Sequence, residues 1–183
     1  MKSIFKLAAL SLAVIGGVNM AHASPSTTVT VSGSVSAVTC DLGVDANKID
    51  LGVASPADFD SGAGKLHIQT QQAFSVLTSH CAGVPIATTG QAAIKITAPT
   101  TSSGTQYFAD GPSPDFAIGL YTGTDPTKLI HNSDLVQIVK AGAPLADINN
   151  VSTQFHVGLL NASVGKPKPG SVTAPITFTF VYN

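Results

Sequence analysis

Residues 175–183, Pro175-Ile-Thr-Phe-Thr-Phe-Val-Tyr-Asn183, decide the fold. Ile176, Phe178, Phe180 and Tyr182 alternate with Thr177, Thr179 and Val181. Successive side chains of a strand point to opposite faces, so this is the pattern of a half-buried β-strand. Upstream the same alternation returns in short stretches: residues 27–39, 72–80, 92–98, 116–122, 135–140 and 152–161. Between them stand Pro99, Gly123-Thr-Asp-Pro126, Gly142-Ala-Pro144 and the proline-rich 165–170, all turn or loop chemistry. Strands at this spacing, with no long helical periodicity, predict an all-β sandwich. Residues 55–64, rich in Pro, Asp and Gly, read as an exposed loop with a short helical turn.

The start of the chain reads differently. Lys2 and Lys6 precede an apolar run of roughly 12 residues, followed by Ala21-His22-Ala23, the pattern of a secretory signal peptide over residues 1–23. The run is shorter than the roughly 18 residues of a spanning helix, and no later stretch reaches that length. The expected mature chain begins at Ser24 and suits one domain. Charge is sparse: over the full sequence the nine basic residues are all Lys, the ten acidic ones all Asp, and the net charge is −1. The charges are scattered, which argues against nucleic acid or anionic lipid as a partner. Cys40 and Cys81, an even pair in an exported chain, are expected to form one structural disulfide. A loop of about 40 residues closed in this way constrains the unfolded chain by about 4 kcal/mol in the entropic account.

A search for reaction chemistry returns nothing. His67, His80, His131 and His156 show no metal-ligand spacing with one another or with cysteine, so no metal and no cofactor are expected. There is no G-x-S-x-G elbow, no glutamate for a carboxylate pair, and the aspartates sit mostly in turns. Ser61-Gly-Ala-Gly-Lys65 falls short of a phosphate loop, because Leu66 stands where Ser or Thr is required. Sequons stand at Asn150 and Asn161. The reading is of a protein that is not an enzyme, with no catalytic, cofactor-binding or metal-binding residues.

The informative features are the two ends. Val29, Val31 and Val35 fall on one face near the mature N-terminus, and Val172, Ala174, Ile176, Phe178, Phe180 and Tyr182 fall on one face at the C-terminus. Neither residues 27–39 nor residues 171–183 carry a charged side chain, although long apolar edges invite unwanted strand pairing. In this arrangement the sequence resembles the pilins of chaperone–usher fimbriae, the type 1 and P pilus family. Gly33 stands seven residues before Cys40, "FSVLTSHC" leads into Cys81 with Thr78 where Leu is more usual, and Gly170, Ala174, Phe178 and Tyr182 fall on the family's C-terminal motif. Pro175, inside the expected closing strand, departs from that pattern.

The resemblance implies an incomplete immunoglobulin-like sandwich lacking its last strand, with residues 24–36 as an N-terminal donor-strand extension and residues 37–183 as the pilin domain. The groove left by the missing strand would be walled by Gly170, Val172, Ala174, Ile176, Phe178, Phe180 and Tyr182. A neighbouring fimbrial subunit would fill it with its own Val29, Val31, Gly33 and Val35, a form of strand addition. Before assembly a periplasmic chaperone would lend a strand and hold the terminal carboxylate of Asn183, delivering the subunit to an outer-membrane usher for display on the cell surface. The alternative role is a single-domain adhesive or minor adaptor subunit that binds a host receptor, glycan or protein.

Overall fold

The computed structural model describes residues 32, 33, 35–86, 88–101, 107–111 and 115–183. The chain divides into residues 1–34 and a compact unit of residues 35–183, and the fold is that of the second. The expected signal peptide, and Val29 and Val31 of the expected donor strand, lie outside the described residues.

Among the described residues seven strands and one short α-helix follow in order: β1 (Val38–Val44), β2 (Gln72–Gly83), β3 (Ala92–Thr97), β4 (Phe116–Thr122), β5 (Leu135–Gln137), α1 (Leu145–Ile148), β6 (Ser152–Asn161) and β7 (Thr177–Tyr182). They form two antiparallel sheets, one ordered β1-β2-β6-β4 and the other β5-β3-β7. The core follows the two-residue period of the strands: Phe74 and Val76 of β2, Ile94 and Ile96 of β3, Ile118 and Leu120 of β4, and Phe155 and Val157 of β6 are buried together. Cys40 and Cys81 are joined by a disulfide that ties β1 to β2, beside a register shift between Thr39 and Asp41.

Three stretches differ from the sequence reading. The strand expected over residues 135–140 ends at Gln137; Ile138 still donates to the Ala92 carbonyl at 3.0 Å, and the chain then turns so that Ala143 donates to Lys140. The loop at 55–64 contains a 3₁₀ turn, Pro56–Asp58, capped reciprocally by Ser55 and Asp58, and it buries Phe59 to 5% exposure. The closing strand forms ladder bonds only from Thr177, although the inward alternation begins at Val172.

Pro175 explains the late start. Gln91 and Asn183 exchange both main-chain bonds, so residues 93/181, 95/179 and 97/177 are the remaining hydrogen-bonded rungs between β3 and β7. Extending that register by two residues sets Pro99 opposite Pro175. Neither has an N–H, so the next rung cannot form. The Pro99 carbonyl accepts instead from Ala109 at 3.1 Å, and Thr173 accepts from Asp110 at 2.7 Å.

Candidate functional site

β1 and β7 are edge strands of opposite sheets. At one end they close on each other, where Val38, Ala92, Ile148 and Tyr182 are buried with Cys40, Cys81 and Phe180 packed against them. At the other end they part, leaving a groove of about 930 Å³ between residues 47–54 and residues 167–175, floored by Phe116, Ile118 and Leu159.

Beyond Pro175, where the lining of this groove ends, β7 continues with a regular open edge. Because the odd-numbered residues from Thr177 to Asn183 spend their main-chain groups on the β3 side, Phe178, Phe180 and Tyr182 turn theirs to the open side. Among the described residues no strand pairs with that edge. The missing N–H of Pro175 falls on the odd, inward side, so it takes nothing from the groove.

The side chains keep the same parity. Val172, Ala174, Ile176, Phe178 and Phe180 are half-buried, Tyr182 is buried, and the intervening Ser171, Thr173, Pro175, Thr177 and Thr179 are exposed. Phe178 closes a ring cluster with Phe74 and Phe155, at centroid distances of 5.7 and 5.1 Å. Across the groove Ile49 and Leu51 line it, and with Leu42 and Ala46 they are likewise half-buried against the core. Two rows of half-buried apolar residues, beside an edge that no strand pairs with among the described residues, can receive one extended apolar strand.

Tyr182 fixes the closed end. Its hydroxyl accepts the Ile86 N–H at 2.9 Å. A Cβ on Gly90 would stand 1.9 Å from that oxygen, so only glycine leaves room for the phenol. Ile86 and Gly90 were not singled out by the sequence, which gives no local sign of a partner 96 residues away.

A family model described as Fimbrial protein matches residues 29–183. The chain belongs to the fimbrial protein family. Among solved structures it is similar to the P pilus rod subunit PapA, with 15% identity over 85% of this chain and 99% of that chain and a TM-score of 0.52. A chaperone–usher pilus structure aligns with 17% identity over 87% of this chain and 97% of that chain, with a TM-score of 0.46. The comparison with curated proteins gives no match. The PapA likeness is one of fold, and it agrees with the expected immunoglobulin-like sandwich.

Elsewhere in this fimbrial protein the residues weighed for chemistry are dispersed. His80 pairs with Asp41 at 3.3 Å, His131 with Asp134 at 3.6 Å, His156 stacks on Tyr121, and His67 lies against Phe59. Among the described residues no three potential metal ligands cluster. Thr78, the departure from the family's Leu, is fully buried. Its hydroxyl donates to the Ile148 carbonyl at 2.6 Å and accepts from the Val151 N–H at 3.0 Å, pinning α1 to β2. The sequon residue Asn161 is also fully buried, its amide donating to the carbonyls of Asp60 and Gly165. At the other end, Val35 and Gly33 are exposed. Asn183, at the end of β7, is exposed while its backbone pairs with Gln91.

Proposed function

We propose that the protein is a structural subunit of a chaperone–usher fimbrium, polymerised by donor-strand exchange, with residues 24–36 as the donated strand and residues 37–183 as the acceptor domain. One observation carries this reading: the even-numbered residues from Val172 to Tyr182 face an unpaired edge and are held half-buried up to Phe180. A strand with Val29, Val31, Gly33 and Val35 at two-residue spacing matches that period. Each valine fully buried contributes about 1.5–3 kcal/mol, and each net main-chain bond about 0.5–1.5 kcal/mol. On this reading Gly33 is the small residue of the donated strand, where the two backbones approach most closely in the neighbour's groove.

Before export to the surface, a periplasmic chaperone strand occupies the same groove and basic chaperone residues hold the Asn183 carboxylate. The outer-membrane usher then carries out the exchange. The contact is heterologous and does not close on itself, which gives a filament. Deleting residues 24–36 is expected to leave a subunit that binds its chaperone and accepts a synthetic 24–36 peptide, yet makes no fibres. Long fibres from the truncated chain would overturn the reading.

A further inference from the structure

We propose that the apolar loop Gly83–Ile86 is a contact surface for a second copy of this chain, packing on Val53 beside the open end of that copy's groove. The inference rests on the strand-donation reading and adds where the bodies of adjacent subunits touch.

Val84 is 79% exposed and Ile86 46% exposed, in a loop with no charged residue. The loop is fastened to the point at which the chain leaves the sandwich: the Val84 N–H donates to the Ala37 carbonyl at 3.0 Å. Gly83 makes this possible, since a Cβ there would stand 2.0 Å from the same carbonyl oxygen, at a φ of +123°. From Ala37 back to Val35 is two residues, at most about 7 Å of extended chain. A copy that takes residues 24–36 into its groove therefore begins within that distance of Ala37, against Val84 and Ile86.

The end of the acceptor that lies there follows from closure. Ala37, Gly83 and Asn183 gather at the closed end of the sandwich, and residues 47–54 and 167–175 at the open end. If closed end met closed end, each copy could donate to the other and the pair would close as a dimer. A filament requires closed end on open end, with the donated strand antiparallel to β7. At the open end Val53, a groove-lining residue, is fully exposed. An uncharged apolar loop and an isolated apolar side chain beside the groove are thus brought together by the length of the connecting chain.

The test places a photo-crosslinking benzophenone amino acid at Val84, in the full chain expressed with its assembly machinery, and maps adducts by mass spectrometry of purified fibres. The expected result is intermolecular adducts to residues 47–54, and the reciprocal probe at Val53 should label the peptide containing residues 83–86. Fibres in which both probes label other regions, or label nothing, overturn the contact. The same probe in a chain lacking residues 24–36 separates the two ideas: fibres without the extension refute strand donation, whereas extension-dependent fibres with adducts elsewhere refute this contact alone.

Discussion

Gly90 and Tyr182 occupy one space: the glycine has no side chain where the phenol lies, and the phenol accepts the N–H of Ile86. The penultimate residue is thereby seated in a socket built by the loop before β3. Gly90→Ala should displace the ring and cost about 1–3 kcal/mol through overpacking. Tyr182→Phe, which removes only the hydroxyl, should cost about 0.5–1.5 kcal/mol. Urea denaturation of the peptide-complemented subunit measures both. The double variant should fall short of the sum, because each change breaks the same bond.

Thr78→Val tests the buried hydroxyl. The isosteric change keeps the volume and leaves the Ile148 carbonyl and Val151 N–H without their partner, at a cost of about 1–3 kcal/mol. Amide exchange at Val151 should accelerate more than exchange in the β2–β6 ladder. An unchanged Val151 amide would mean that the hydroxyl contributes nothing there.

Parity along residues 172–182 makes a sharper distinction. By the register of β7, the main-chain groups of Ala174 point to the open side and those of Pro175 to the β3 side. Ala174→Pro removes a groove-facing N–H and should slow uptake of a donor peptide. Pro175→Ala should leave uptake unchanged and lower stability by about 0.4–1 kcal/mol, by loosening the unfolded chain. Stopped-flow fluorescence with a labelled 24–36 peptide reads the rates. Equal effects of the two changes would refute the assignment of faces.

Asp125 should titrate below the ordinary carboxylate range. The Thr127 hydroxyl donates to it at 2.6 Å and the Thr127 N–H at 3.0 Å, with Lys128 adding a weaker attraction. A depressed folded pKa makes the turn's contribution present above the unfolded value and lost as pH falls through the folded one. In an NMR titration, Thr127→Ala should raise the Asp125 midpoint toward 3.8, the value of an unperturbed aspartate. An unmoved midpoint would remove the hydroxyl as its cause.

Much of this architecture was legible because strands write their faces at every second residue. The alternation from Val172 to Tyr182 marked the side chains that are half-buried or buried in the structure, and the Cys40–Cys81 pair followed from compartment and count. What escaped were contacts between distant segments. Thr78 looked like a departure from a pattern, and only the carbonyl of Ile148 and the amide of Val151 give it a reason. Phe59 sits in a stretch whose composition suggests a loop, yet it is buried, with the Lys166 ammonium donating to the carbonyls of Ala57 and Phe59. Pro175 could not be placed from its own neighbours, because its counterpart is Pro99, just past the end of β3.

That pair has a consequence for alignment. Sliding β7 by two residues along β3 in either direction would bring one proline into a rung opposite Thr97 or Thr177, with a donor missing. Sliding it by one would turn Phe178 and Phe180 to solvent. The two prolines and the aromatic row thus act together as a ruler, and the last carboxylate of the chain stands at one height above the sheet.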